Sequence, residues 1–162
     1  MAKVVATGLC TKITLKTPNF MVSTDEGQIY TVDWTLRVSP ENPANNVKKV
    51  YSEKYYRPIL SFEFSPFFPD FFLTLHDFHF CLWNVNKNRP IFISPNLKSS
   101  CYTFARFSPS RPAVIFFARN NGVIDIWDFL DESHKPSINE SFFKETITYL
   151  EIVRYYPQVD EE

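Results

Sequence analysis

The chain has 162 residues and a formal net charge of −1 at pH 7, so its charge balance gives no indication of a nucleic-acid or membrane-surface partner. Aromatic residues make up 17% of it, far more than a disordered segment carries, and its length fits a single domain. The 3 glycines against 12 prolines fit short strands separated by turns, and they argue against flexible linkers.

A first repeat unit is predicted over about residues 13–57. An apolar segment at residues 20–22 precedes the turn Asp25-Glu26-Gly27, whose glycine tolerates the positive φ of a tight hairpin. When this turn is aligned with later copies, Val32 takes the position of a strand-ending tryptophan. The nearby pair Asp33-Trp34 is therefore a misleading look-alike.

A short alternating segment at residues 47–51 ends this first unit. Lys48 and Lys49 lie in it, and lysines on an outermost strand protect an exposed sheet edge from pairing with other chains. We expect a solvated edge strand here, in preference to a contact with an acidic partner.

The second unit, residues 58–100, has the clearest pattern. An alternating strand ends in Phe64-Ser65-Pro66, and a continuous apolar run at residues 71–73 follows. Such a run predicts a strand that is buried on both faces. A polar turn then leads to a strand that closes on Trp83.

The third unit, residues 101–145, repeats this order. It passes through Phe107-Ser108-Pro109 and a turn ending in Gly122, and it closes on Trp127-Asp128. The prolines of the two Phe-Ser-Pro motifs lie 43 residues apart and the closing tryptophans 44. A period of about 40–45 residues with a strand-terminal tryptophan is typical of the four-stranded blades of WD40 propellers.

Residues 146–156 alternate well enough to predict the innermost strand of a further blade. The predicted fold is therefore an all-β, WD40-type β-propeller with about three four-stranded blades plus one strand. Propellers close with about four to eight blades, and single repeats cannot bury their faces alone. We expect the chain to be a segment of a longer polypeptide, or a partner to complete the ring.

The three cysteines, Cys10, Cys81 and Cys101, form no CxxC motif. We predict that they are small core residues of a soluble, intracellular protein in a reducing compartment, because their number is odd and no signal peptide or long apolar span is present.

No catalytic, cofactor-binding or metal-binding residues are predicted. His76 and His79 flank Asp77, but we expect side chains three positions apart in a hairpin to point to different faces, and we expect no cysteine or further carboxylate to converge on them. A phosphate-binding loop is not expected, because it needs closely spaced glycines and the sequence has glycine only at positions 8, 27 and 122. A propeller hydrolase is a weak alternative, since the innermost strands offer few polar residues for its channel: Ser61, Glu63, Thr103 and Arg106.

Blades of the WD type often contain a structural hydrogen-bond set of a Ser or Thr, a turn Asp and the closing Trp. Thr74, Asp77 and Trp83 match this set in the second unit, whereas the Gly-His dipeptide that supplies its histidine is missing. A buried indole N–H needs a partner, so we expect Thr74 to matter for stability. In the third unit, the blade residues singled out are Gly122, Trp127 and Asp128.

Three ordered segments carry a resemblance to the dynein intermediate chains. Residues 64–74, FSPFFPDFFLT, resemble that family's SPFFPD segment, although the Gly-Asp-Trp that follows there is His76-Asp77-Phe78 here. The third unit, with Arg111-Pro112 and residues 121–130, is similar to the family's next blade, and residues 20–27 resemble an upstream blade.

The resemblance, which covers most of residues 13–156, implies a non-catalytic subunit without cofactors. Its expected partners are a dynein heavy chain and other intermediate or light chains, with the doublet microtubule reached indirectly, and without nucleic acid or membrane. The expected location is the cytoplasm, the cytoskeleton and the ciliary or flagellar axoneme. Residues 30–34 and 132–136 are most similar to the inner-arm type. The alternative is an unrelated WD40 adaptor of intracellular trafficking.

Overall fold

The computed structural model describes residues 6–11, 19–33, 35, 47–52 and 57–153, and twelve β-strands and no helix lie within them. The strands form three antiparallel four-stranded sheets, each with its strands in sequence order. Their bounds are β1 (Ala6–Thr11), β2 (Asn19–Thr24), β3 (Gln28–Asp33), β4 (Val47–Ser52), β5 (Ser61–Phe64), β6 (Phe71–Leu75), β7 (Phe80–Asn84), β8 (Phe92–Ile93), β9 (Tyr102–Phe107), β10 (Val114–Arg119), β11 (Val123–Asp128) and β12 (Ile138–Ser141).

The three sheets are the blades of an open propeller, and the predicted all-β WD40-type fold is confirmed. The innermost strands β1, β5 and β9 lie next to one another in that order. The ring that they begin is not closed by the described residues. No helix of this described part is long and apolar enough to cross a membrane.

The first blade begins earlier than the sequence pattern indicated, because β1 starts at Ala6 and not near residue 13. The β1–β2 register shifts between Ala6 and Gly8. A glycine within a strand often marks such a bulge, and the irregularity obscures the alternation by which a strand is recognised.

The predicted register of the first blade is confirmed. Phe20 pairs with Val32 in the β2–β3 hairpin, as Ile115 pairs with Trp127 in the β10–β11 hairpin. The glycines of the two turns, Gly27 and Gly122, have φ values of 72° and 77°. Val32 therefore occupies the closing position, and Trp34 lies outside the described residues.

Strand β6 is buried on both faces, as its continuous apolar run predicted. Phe72 packs in a cluster with residues of the first blade such as Ile29 and Tyr51. Leu73 faces the opposite way and packs in a second cluster with residues of the third blade such as Phe117. Two apolar layers thus lock the second blade between its neighbours.

The strand predicted at residues 146–156 is not formed in the described part, residues 146–153. This segment instead follows the third blade through isolated contacts, including a hydrogen bond from Thr146 Oγ1 to the Asn120 carbonyl (2.7 Å) and a ring contact between Tyr149 and Phe104 (4.9 Å). A strand needs a neighbour with which to form a regular ladder. None of the described residues provides one here.

Lys48 and Lys49 lie in β4, but their side chains, like that of Cys10, are outside what the structure describes. Cys81 is buried in the core as expected, whereas Cys101 is half-buried, and neither forms a disulfide with a described residue.

Candidate functional site

A buried hydrogen-bond chain runs through the second blade. The Trp83 indole N–H donates to Thr74 Oγ1 at 2.9 Å, and Thr74 Oγ1 lies 3.2 Å from His76 Nε2. His76 Nδ1 lies 3.2 Å from the Arg57 carbonyl oxygen and 3.1 Å from that of Pro58. Thr74 and His76 have no exposed surface, and Trp83 has 1%.

The direction of this chain follows from its chemistry. Carbonyl oxygens only accept, so His76 carries its proton on Nδ1 and donates it to the segment before β5. His76 Nε2 then accepts from the Thr74 hydroxyl, whose oxygen accepts from Trp83. Every polar group in this buried hydrogen-bond chain has a partner, as burial requires. His76 thus ties the second blade's hairpin to the segment that enters the blade.

Asp77, by contrast, is not part of this set. One of its carboxylate oxygens accepts the Phe78 backbone N–H at 3.1 Å, and the other pairs with Arg57 Nη1 at 3.1 Å. The two side chains are 30% and 50% exposed, so their ion pair adds little stability. The structure therefore brings Thr74 and Trp83 together and leaves Asp77 at the surface of the turn.

The expectation that His76 and His79 point to different faces was wrong. The two residues flank the two-residue loop Asp77-Phe78, and the His76 N–H donates to the His79 carbonyl at 2.9 Å. Residues that flank such a loop are cross-strand partners, and partners share a face. Their rings stack at 4.6 Å between centroids with 6° between the planes.

A cysteine does converge on this pair. Cys81 lies two residues beyond His79 on β7 and therefore faces the same side of the sheet. All three side chains are buried, and one ligand atom from each lies within 4.8 Å of the others. The sequence signal for this cluster is the His76–His79 spacing, which places the two histidines on either side of a two-residue turn. Counting the positions as if they lay along one strand gives the wrong face.

The third blade closes on Trp127, which is 2% exposed and packs edge-to-face against Phe80 of the second blade (5.0 Å, 87°). Its indole N–H makes no hydrogen bond of good geometry with the described residues, although the Tyr102 hydroxyl lies near it. Trp127 therefore acts here mainly through apolar contact between blades, unlike Trp83.

An ion pair that sequence reasoning missed lies in the same blade. Asp125 has no exposed surface; its carboxylate accepts from Arg119 Nε at 2.7 Å and from Asn139 Nδ2. Burial raises the pKa of the nearby Tyr102 phenol, and the negative charge of Asp125 raises it further. Asp125 lies at an inward position of the alternating strand β11, and a carboxylate on a buried face requires a cationic partner. That position is the sequence signal from which an ion pair could have been predicted.

Gly122 lies in the turn between β10 and β11, and Asp128 lies at the end of β11. The backbone N–H groups of Phe142 and Phe143 donate to the Gly122 carbonyl at 3.1 and 3.3 Å, so the chain after β12 crosses directly over this glycine. A Cβ atom added there would lie 2.0 Å from the Phe143 carbonyl oxygen. Asp128 accepts from Arg111 Nη2 (2.8 Å) and from the Leu130 N–H (3.0 Å) after the strand ends.

Two of the four polar residues expected on the innermost strands, Glu63 and Arg106, form a chain of ion pairs with Glu151. Arg106 Nη1 lies 3.3 Å from Glu63 Oε1, and Arg106 Nη2 lies 3.5 Å from Glu151 Oε2. Glu63 Oε2 accepts the Phe107 N–H at 3.0 Å. Burial raises the pKa of Glu63, while the Phe107 N–H and the Arg106 charge act in the opposite direction. These ion pairs therefore connect β5, β9 and the segment 146–153.

An apolar groove of about 320 Å³ opens between the second and third blades. Phe68 and Leu130 line it and are 50% and 83% exposed, and Phe67, which precedes Phe68 in the sequence, is 37% exposed. The groove floor includes Phe71, Leu82 and Ile115.

Comparison with known proteins gives a consistent match. A family model described as the dynein axonemal intermediate chain 3 WD40 domain matches residues 3–156. The chain is 31% identical over 137 residues to dynein axonemal intermediate chain 3 of Homo sapiens, which covers 81% of this chain and 15% of that protein. It is 30% identical over 122 residues to the 70 kDa intermediate chain of the flagellar outer arm dynein of Chlamydomonas reinhardtii, covering 74% of this chain and 20% of that one.

A further relative is the ciliary dynein intermediate chain 3 of Heliocidaris crassispina, 30% identical over 120 residues, covering 74% of this chain and 19% of that protein. Among solved structures, Raptor of Chaetomium thermophilum superposes with a TM-score of 0.68 over 90% of this chain and 12% of that chain. At 13% identity, this likeness shows the fold alone. The chain thus spans between 15% and 20% of the length of these three relatives.

Proposed function

This chain belongs to the family of dynein axonemal intermediate chain WD40 domains, and from that membership we propose that it is a non-catalytic scaffold segment of a ciliary dynein. In this role it holds the tail of a dynein heavy chain, together with other intermediate and light chains. It reaches the doublet microtubule only through the complex. The family match over residues 3–156 carries this proposal.

The packing of the blades supports a scaffold role. The second blade shares one apolar cluster with the first blade and another with the third, so the three sheets are held as a stack. The Glu63–Arg106–Glu151 chain adds polar links along the innermost segments. A stack fixed in this way presents its loops in a constant arrangement, as a docking platform must.

The exposed apolar side chains support contact with another protein. Phe68 and Leu130 line one interblade groove, where they would otherwise remain in water, and Phe67, which precedes Phe68 in the sequence, is also exposed. Grouped apolar exposure of this kind marks protein interaction sites more often than scattered surface residues do. In the proposed role, a component of the dynein complex covers them.

The polar clusters support a structural role more than a catalytic one. The hydrolase alternative depends on Glu63 and Arg106, and these two residues pair with each other. Glu63 also accepts a backbone N–H, so its oxygens are already engaged. In the proposed role the heavy chain hydrolyses ATP, and the blades only hold the heavy-chain tail in place.

The names of the relatives support an axonemal location in a cilium or flagellum. Assignment to the inner arm remains a prediction from residues 30–34 and 132–136, since one of the relatives is an outer-arm chain. The alternative of an unrelated trafficking adaptor is not supported by the family match.

Affinity purification from ciliary axonemes tests the proposal. The tagged full-length polypeptide should recover a dynein heavy chain and further intermediate and light chains, identified by peptide mass spectrometry. The control is an equally tagged WD40 protein from outside the dynein family. Recovery of heavy chain at the level of that control would contradict the scaffold role, and the identity of the heavy chain would decide between inner and outer arm.

A further inference from the structure

The buried cluster His76, His79 and Cys81 has the composition of a metal site that the scaffold role does not require. Imidazole and thiolate together favour zinc over the hard cations magnesium and calcium. The three side chains come from one hairpin, and one ligand atom of each lies within 4.8 Å of the others. We propose that this hairpin binds one zinc ion through His76, His79 and Cys81.

The hydrogen bonds of His76 already orient it as a ligand. Its Nδ1–H donates to the carbonyls of Arg57 and Pro58, so the lone pair of Nε2 faces the interior. Ligating histidines commonly donate their second ring nitrogen to a backbone carbonyl, which fixes both tautomer and ring orientation. On binding, zinc replaces the Thr74 hydroxyl as the partner of Nε2, and Thr74 still accepts from Trp83.

The separation of the ligand atoms suits closure around an ion. Zinc bonds of about 2.0–2.1 Å to nitrogen and about 2.3 Å to sulfur, in tetrahedral geometry, place ligand atoms roughly 3.3–3.6 Å apart. The largest ligand-atom separation, up to 4.8 Å here, therefore has to shorten by about 1.2–1.5 Å. The two imidazole planes are nearly parallel, so their lone pairs do not converge, and one ring has to turn about its Cβ–Cγ bond.

His79 is the ring with room to turn. It lines a cavity of about 290 Å³ together with Arg57, Phe78, Ser94 and Asn96. This cavity gives an ion a route to the cluster and leaves space for a water molecule as the fourth ligand. Binding deprotonates the Cys81 thiol and releases that proton to solvent, so the site takes up zinc as a thiolate complex.

Cobalt substitution tests the proposal directly. The full-length polypeptide, reduced and freed of metal with a chelator, is titrated with Co²⁺ and then with Zn²⁺. We expect saturation at one equivalent, a thiolate-to-cobalt charge-transfer band, and loss of that band when zinc displaces cobalt. The band should be absent in Cys81→Ser and should require far more cobalt in His79→Gln.

The chain offers matched controls, because Cys101 and His134 lie outside the cluster. Cys101→Ser and His134→Gln should keep the band unchanged. X-ray absorption of the zinc-loaded wild type needs no variant to fold, and it should show one sulfur among nitrogen and oxygen ligands. Absence of saturable binding by the folded wild type, a zinc shell without sulfur, or an undiminished band in Cys81→Ser would overturn the site. Recovery of heavy chain from axonemes is a separate readout, so either proposal can fail alone.

Discussion

The indole N–H of Trp83 is satisfied by the hydroxyl of Thr74, 2.9 Å away on the neighbouring strand, where neither side chain is more than 1% exposed. The same hydroxyl donates to His76, so one oxygen atom joins a core tryptophan to the entry segment of its blade. The sequence pattern singled out Thr74 and Trp83, and the structure adds the histidine between this pair and the backbone.

Removing that hydroxyl should destabilise the second blade. Thr74→Val keeps the shape but leaves the Trp83 N–H and His76 Nε2 without this partner, which should lower the free energy of unfolding by about 1–3 kcal/mol. Thr74→Ser keeps the hydroxyl and loses one methyl group, so it should cost about 0.8 kcal/mol. Denaturant unfolding measures both. A Thr74→Val variant as stable as the wild type would show that the hydrogen bond contributes nothing.

Gly122 should not tolerate any side chain. Gly122→Ala places a Cβ atom 2.0 Å from the Phe143 carbonyl oxygen at a φ of +77°, so the crossing segment has to move. Asparagine tolerates this left-handed conformation better than alanine but carries the same Cβ atom. We therefore expect Gly122→Asn to be destabilised nearly as much as Gly122→Ala in thermal unfolding. Substantial recovery with asparagine would mean that φ, and not the collision, restricts this position.

The buried Arg119–Asp125 pair should be sensitive to loss of one partner. Asp125→Ala leaves a largely buried guanidinium uncompensated and should cost about 3–5 kcal/mol of unfolding free energy. The double variant Arg119→Met/Asp125→Leu should regain part of this loss, because apolar packing can replace a buried ion pair.

A surface pair provides the control for that measurement. Lys135→Ala breaks the ion pair between Lys135, which is 60% exposed, and Glu132, which is 31% exposed. This variant should change the free energy of unfolding by less than about 1 kcal/mol. If Asp125→Ala were as mild as Lys135→Ala, the assignment of Asp125 as a core ion pair would fail.

Glu63 should make stability depend on pH in a specific direction. Burial raises its pKa above the ordinary 4.5, so the folded protein binds this proton more tightly than the unfolded chain does. Its contribution is therefore complete below pH 4.5 and is lost as pH rises through the raised pKa.

Glu63→Gln removes this titration and provides the reference. The unfolding free energy of the wild type relative to this variant should fall as pH rises from about 4 to about 7. Denaturant unfolding at several pH values measures the difference. A difference that stayed constant would show that the Arg106 charge and the Phe107 N–H cancel the effect of burial, and one that grew with pH would show that they outweigh it.

The fold could be predicted from repetition, since Phe-Ser-Pro turns and closing tryptophans recur at a fixed period. The register of the first blade followed from Gly27 aligned with Gly122 alone, even though valine replaces tryptophan there. Polar pairings across strands were harder. Arg119 and Asp125 lie on either side of a turn, and only their registration in the hairpin shows that they meet.

Two errors have physical causes. His76 and His79 were assigned to opposite faces by counting positions along one strand, whereas a two-residue loop makes the flanking residues partners. Residues 146–153 alternate like a strand but make no ladder among the described residues, because alternation indicates a preference and pairing requires a neighbour.

Cross-linking mass spectrometry of the native ciliary dynein complex tests whether this chain contacts the heavy-chain tail. Lys87, Lys98, Lys135 and Lys144 are exposed and report contacts around the second and third blades. We expect cross-links from these lysines to the tail of a dynein heavy chain, outside its motor domain. Cross-links only to proteins outside the dynein complex, with the tail of the heavy chain linked to other intermediate chains, would contradict it.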